Sequence, residues 1–206
     1  VELLEAEPAS IEQLLRVHSA SLVEDVGRAS RMGLGNLDPD TYCTTASFDQ
    51  ARLAAGAACL ASDLIMQGEA RNGFALVRPP GHHAERERVG GFCLFNNAAV
   101  AARQVQQRHG VGKVLILDYD VHHGNGTQAI FYDDPTVLYI SLHMFAHFFY
   151  PGTGAADEIG TGAGRGTTLN VPFGTRAGDE AYAMVFDELL EPVIADFAPE
   201  LMLVSA

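Results

Sequence analysis

The chain is short of cysteine, short of basic residues and free of long apolar runs, and each shortage removes a class of protein. Three cysteines (Cys43, Cys59, Cys93) are odd in number and widely spaced, which fits neither a disulfide framework nor a cysteine-based zinc site. A reducing, cytoplasmic environment is therefore expected. With 13 Lys and Arg against 26 Asp and Glu the formal net charge is −13, so nucleic acid is not an expected partner, because phosphate binding needs a basic surface. No apolar stretch approaches the roughly 18 residues needed to span a bilayer. The acidic opening Val1–Ser10 has neither the basic start nor the apolar centre of a signal peptide.

What remains is an ordinary globular composition, 48% hydrophobic and 19% charged, with no internal repeat and no low-complexity linker. Ser10-Ile-Glu-Gln13 has the form of a capping box and predicts a first helix from about Ile11 to Val26. Gly33–Thr45 reads as a loop. A second box, Ser47-Phe-Asp-Gln50, opens an Ala-rich helix ending near Gly68. The apolar run Phe74–Val77 is read as a strand feeding a loop with Pro79, Pro80, Gly81, His82 and His83. Asn96–His109 predicts a third helix with Gly110 at its C′ position. Val114–Leu117 is a continuous apolar stretch of the kind found in strands buried on both faces. Strands at Val137–Leu142 and Leu169–Val171, a helix over Asp179–Phe197 and a last strand over Glu200–Ala206 complete the pattern. Strands alternating with helices predict an α/β fold with a mostly parallel sheet, helices on both faces, and ligands at the carboxyl ends of the strands.

Two groups of residues carry chemistry. Asp118, Asp120 and His122 alternate along the end of a buried strand, so all three would face one way if strand geometry persists. Two carboxylates and an imidazole form a metal site of hard to borderline character. The plainer alternative is a set of acidic residues capping a helix or lining a solvated loop. His82 and His83, on a loop stiffened by two prolines, could supply a general base and an electrostatic partner, although tandem histidines are often surface accidents. Both groups follow predicted strands, and a parallel sheet would bring them to one rim.

Four motifs then occur in order: Arg78-Pro-Pro-Gly-His-His83, Gly91-Phe-Cys-Leu-Phe-Asn-Asn97, Asp118-Tyr-Asp-Val-His-His-Gly-Asn-Gly126, and Ser141-Leu-His143 with Tyr150-Pro-Gly-Thr-Gly154. From about His18 onward the chain resembles the zinc-dependent histone deacetylase family, which includes acetylpolyamine amidohydrolases. The resemblance implies an arginase/deacetylase-like three-layer fold and the hydrolysis of an acetyl amide on lysine or a polyamine.

It also implies roles. Asp120 and His122 match two zinc ligands, and His83 matches the general base. His82 matches the first histidine of the pair, hydrogen-bonded by Asp118, and Asn125 matches the partner of His83. Asp118, Ser141 and the Leu142 backbone match ligands of a structural K+ or Na+, and Phe131 and Val137 match a second cation site. Gly91 and Phe92 match one wall of the acyl-lysine tunnel, and Tyr150 falls where the opposite wall is usually Phe. Asp40 matches the rim carboxylate that holds substrate, with Asp38 as its competitor. Asn at position 125 resembles the class II branch and its bacterial relatives.

The family's third zinc ligand, an Asp in Gly-x-Asp-x-His, and its oxyanion-donating Tyr have no counterpart within residues 1–206. The chain is therefore expected to be a partial catalytic domain, incomplete at its C-terminus and, lacking a start Met, at its N-terminus as well. It is expected to be inactive alone. A homo-oligomer is left open.

An arginase-type ureohydrolase is the rival enzyme, but its second-metal carboxylate is replaced here by His123-Gly124. A non-catalytic acyl-binding domain is the rival of another class. Gly152–Gly166 reads as a flexible connection, His18 and His109 as helix-surface residues, His143 as a structural hydrogen-bonding residue and Cys93 as a buried small hydrophobe.

Overall fold

The computed structural model describes residues 1–33 and 35–206, which form two compact units, Val1–Gly110 and Val111–Ala206. In the first unit, helix α1 (Ile11–Leu15) starts on the expected capping box, Ser10 and Gln13 bonding reciprocally. It does not run on to Val26. Ser19 takes up an extended conformation, accepts the Leu22 N–H and restarts the chain as α2 (Ala20–Met32), which Gly33 closes in a left-handed conformation. Two competing N-caps thus split one predicted helix into two.

A two-stranded hairpin, β1 (Gly35–Asn36) with β2 (Tyr42–Cys43), lies inside the predicted loop. Helix α3 (Ser47–Met66) follows, without the second capping box. Ser47 is the first helical residue and turns its hydroxyl back to the Thr44 N–H at 2.9 Å. Helix α4 (Asn97–His109) is bounded as predicted, Asn96 accepting the Ala99 N–H and Gly110 left-handed at φ 69°. Helices α3 and α4 pack against each other, and each buries small apolar residues, Ala54, Ala55 and Cys59 on α3 and Val100 and Val105 on α4.

The α3–α4 pair is also tied by polar groups. Buried Asp63 accepts from Gln104 at 3.0 Å, from Arg108 and from His109 at 2.7 Å. His109 is thus engaged by a buried carboxylate and is not a helix-surface residue. The predicted strand Phe74–Val77 does not form. No described residue supplies a hydrogen-bonding ladder for it, and Phe74 and Leu76 are 85% and 86% exposed.

The second unit is built on a four-stranded, all-parallel sheet of β3 (Val114–Asp118), β4 (Val137–Met144), β5 (Thr168–Phe173) and β6 (Leu201–Ser205), in the order β5-β4-β3-β6. Asp118 stands level with Ser141 on one side and Ser205 on the other. Leu115, Leu117, Leu138, Ile140 and Leu142 face Leu190, Tyr182, Val185, Val193, Ile194 and Phe197 of the Asp179–Phe197 helix. The opposite residues of β3 and β4, among them Ile116, Tyr139 and Ser141, are fully buried too, which accounts for the unbroken apolar runs.

The Asp179–Phe197 helix is continuous but not regular. Between α6 (Asp179–Val185) and α7 (Glu191–Phe197) it widens into a π-turn, the Glu191 N–H reaching back to Phe186. Pro192 explains it, since its ring crowds the preceding turn and it has no N–H to continue the α-ladder. Short α5 (Asn125–Phe131) joins β3 to β4.

The glycine-rich Gly152–Gly166 segment is not a loose connection. The Thr161 N–H bonds Tyr132 at 2.8 Å and the Gly166 N–H bonds Ile159 at 2.7 Å. A Cβ on Gly160 would stand 2.2 Å from the Gly164 carbonyl oxygen. Gly154, Gly160 and Gly164 permit close approach, whereas Gly152, Gly162 and Gly166 have open space around them and supply positive φ instead.

Candidate metal and histidine sites

In the second unit, β3 delivers its last side chain, Asp118, fully buried, where Tyr139 donates a hydrogen bond to it at 3.2 Å. Burial, followed by the Asp118 charge, pushes the Tyr139 phenol well above its ordinary pKa, so that it stays a donor. Strand geometry stops at Asp118, and Asp120 and His122 lie in the turn beyond it. These two pair with each other, Asp120 Oδ1 standing 3.1 Å from His122 Nδ1 and accepting the His122 N–H at 2.7 Å. Both side chains remain partly open to solvent, at 30% and 39% exposure.

A carboxylate oxygen and an imidazole nitrogen this close are donors that zinc takes. They are only two. Among the described residues, no three His, Cys, Asp or Glu side chains are gathered as a metal would require.

Phe149 stacks flat on His122, 4.9 Å between centroids and 1° between planes, and Tyr150 meets the same ring edge-on at 6.2 Å. Tyr150, read as a tunnel wall, therefore stands beside the imidazole, but the face-on partner is Phe149, which the sequence reading did not single out. Ser141, level with Asp118, shares a 2.9 Å hydrogen bond with His143, whose other nitrogen donates to the Gly154 carbonyl at 3.0 Å. His143 is structural, as expected. Leu142 is buried in β4 beside Ser141, while Phe131 ends α5 and Val137 begins β4, on either side of the short turn between them.

In the first unit, His82 and His83 are buried and in contact, with ring centroids 3.9 Å apart. Their turn is clamped by carbonyl contacts. Asn97 donates to Pro79 at 3.1 Å, Asn96 to Ala84 at 3.3 Å, and His18 to Glu85 at 2.9 Å. The other nitrogen of His18 accepts the Asn96 N–H at 2.9 Å. His18, only 1% exposed, is a core fastening and not a helix-surface residue.

The Gly90–Cys93 turn carries positive φ at both central residues, 54° at Gly91 and 66° at Phe92. Such a conformation is uncommon for a bulky side chain, and it holds Phe92 out at 61% exposure. Asp40 accepts the Gly91 N–H at 3.2 Å and Thr41 accepts the Phe92 N–H at 3.1 Å. Asp38 turns into its own loop, accepting the N–H groups of Asp40 and Thr41. Of the two competing carboxylates, Asp40 is the one beside the Gly91–Phe92 turn. Cys93 is buried, its Sγ against the Gly91 carbonyl.

Parallel sheets place their chemistry at the carboxyl ends of strands, and here that end carries a carboxylate–imidazole pair able to ligate a divalent metal. The chain belongs to the histone deacetylase domain family, whose model matches residues 1–206. It is 44% identical to a probable deacetylase of Archaeoglobus fulgidus over 100% of this chain and 56% of that protein. It is 45% identical to a histone deacetylase-like amidohydrolase of Pseudomonas aeruginosa over 100% of this chain and 54% of that one. It is 44% identical to the human polyamine deacetylase HDAC10 over 98% of this chain and 32% of that one. The crystal structure of the HDA15 HD domain superposes with a TM-score of 0.94 at 45% identity, covering 98% of this chain and 58% of that one. The α/β deacetylase-type fold anticipated from the sequence is therefore the fold of this chain. The chain spans about half the length, or less, of these relatives. Among the described residues, no helix is long and apolar enough to cross a membrane.

Proposed function

We propose that the protein to which these residues belong hydrolyses an acetyl amide, on lysine or on a polyamine, in a zinc-dependent reaction. The observation that carries this reading is the Asp120–His122 pair at the end of β3, two ready donors left partly open to solvent. Zinc, when held there, would polarise the acetyl carbonyl and acidify water. His83 takes the proton of the attacking water and returns it to the leaving amine, with His82 packed against it as its electrostatic partner. Gly91, Phe92 and Tyr150 wall the acyl chain, and Asp40 holds the substrate at the rim.

Asp118, Ser141 and Leu142 would hold K+ or Na+, with Phe131 and Val137 at a second cation site, in a cytoplasmic enzyme. Because catalytic zinc normally takes three protein ligands, residues 1–206 are proposed to be inactive by themselves.

The test is turnover of an acetyl-lysine peptide and of an acetylpolyamine by the full-length protein, with and without a chelator. Turnover that a chelator abolishes and zinc restores is the expected result. Absent or chelator-insensitive turnover overturns it, and two catalytic metal ions per subunit would point to ureohydrolase chemistry instead.

Asn125, at the start of α5, is proposed as the neutral partner of His83. Replacing it with a carboxylate would stabilise the imidazolium and raise the pKa of His83, typically by about 1 unit or more. A base must be deprotonated to act, so Asn125→Asp should move the acidic limb of the kcat/KM profile to higher pH. An unmoved limb refutes the pairing.

A further inference from the structure

The half-open His122 is followed by a histidine in the opposite condition. His123 is 1% exposed, and its ring lies in a chain of hydrogen bonds whose direction can be read. Asn170 donates its amide N–H both to Gln128 Oε1 at 2.7 Å and to the Glu158 carbonyl at 3.0 Å. Gln128 donates its own N–H to Glu158 Oε2 at 2.6 Å. Glu158 as a carboxylate can only accept, so the Gln128 amide has one admissible orientation, its oxygen toward His123 Nε2 at 3.0 Å. That nitrogen must then carry the proton, and Thr153 Oγ1 faces the other at 2.8 Å.

The second oxygen of Glu158 accepts the Gly154 and Ala155 N–H groups, each at 3.0 Å. Gly154, at φ 95°, brings its backbone so close that a Cβ would stand 2.7 Å from the His123 ring and 2.4 Å from His143. Burial raises the pKa of Glu158, but hydrogen bonds from Ala155, Gln128 and Gly154 outweigh it and hold the carboxyl below its ordinary value. The anion is thus the form the network requires.

We propose that Glu158 is a positioning residue for the metal-ligating turn. Through Gln128 it fixes the His123 ring and with it the adjacent His122, and through its other oxygen it anchors the loop that follows Phe149 and Tyr150. This rests on the reading of Asp120 and His122 as metal donors. Orienting partners behind a metal ligand typically change metal affinity by about 10–100-fold when removed.

Glu158→Gln would leave one oxygen for three donors and turn an N–H2 group on one of them. The full-length protein loaded with cobalt in place of zinc gives two readouts, the ligand-field absorption of the metal and its release rate to a chelator. Glu158→Gln should alter the spectrum and speed release by about 10-fold or more, below the temperature at which the apoprotein unfolds. Gln128→Met, which cuts the link to His123 and leaves the loop anchors in place, should shift both readouts in the same direction. It decides the matter if Glu158→Gln fails to fold.

Unchanged spectrum and release in either folded variant, with a normal wild type, overturn the positioning role alone. A wild type that takes up no cobalt, or a His122→Ala variant that keeps it, overturns the donor reading and the proposal with it.

Discussion

Gly91→Ala should lower kcat/KM by about 100-fold, because the added methyl strikes His83, the proposed general base. An ideal Cβ at this position stands 2.1 Å from His83 Cδ2, 2.6 Å from Cγ and 3.0 Å from Cβ. None of these is the loose end of a flexible chain. The ring would have to retreat by about 1 Å, and displacements of that size in a reacting group cost on the order of 100-fold in rate. Retreat is obstructed, since His82 packs against the same ring and the clamps at Pro79, Ala84 and Glu85 fix the turn.

A second penalty is independent of the clash. At φ 54° an alanine is roughly 1–2 kcal/mol worse off than glycine, which for a chain of this size is several degrees of Tm. Steady-state kinetics and thermal unfolding of the purified variant separate the two. A fall in both is expected, with kcat hit harder than KM if the base is what moves. Wild-type kcat with a lowered Tm would remove His83 from the chemistry, and wild-type values for both would contradict the local geometry.

Elements marked by local, short-range signals were legible in the sequence. Helix α4 has an Asn cap at one end and a left-handed Gly at the other, and both acted as such. The buried β3 and β4 runs were recognisable because a strand covered on both faces has no polar alternation. The family motifs put Asp120 beside His122 and His82 beside His83, and within each unit the structure shows those pairs in contact.

The Ser47 box failed for a local reason, its hydroxyl taken by the Thr44 N–H, but most of what failed depended on partners distant in sequence. Phe74–Val77 has the composition of a strand, but a strand exists only where another backbone supplies its ladder. The break between α1 and α2 turned on Ser19 outcompeting helix continuation, and its N–H is taken by Arg86, 67 residues away. The Glu158–Gln128 link spans 30 residues with no periodicity to betray it. His18 and His109 look like ordinary polar positions on helices until Glu85, Asn96 and Asp63 are brought to them by the fold.

At His18 a second large effect is expected, a loss of stability of the first unit in mild acid. The ring donates from Nδ1 to the Glu85 carbonyl and accepts the Asn96 N–H at Nε2, an arrangement that only the neutral form can make. Burial, aided by the positive charge of Arg86 and opposed by the Glu85 hydrogen bond, pushes its pKa from 6.5 down to about 4. Between those values the unfolded chain takes up a proton that the folded chain refuses. Stability is therefore full above pH 6.5 and is lost progressively as the pH falls toward 4. A shift of that size corresponds to about 3 kcal/mol over the window.

The carboxylates titrate in the lower part of the same range, so the contribution of His18 is isolated by difference. His18→Gln should be less stable than wild type at neutral pH, because it no longer satisfies both the Asn96 N–H and the Glu85 carbonyl in the same geometry. Its denaturant midpoint should then fall less steeply between pH 6.5 and 4.5, so that the two curves converge on the acid side. Parallel curves would show that His18 is protonated without penalty in the folded state. Convergence would show instead that the clasp closing the turn behind His82 and His83 is held by a neutral imidazole.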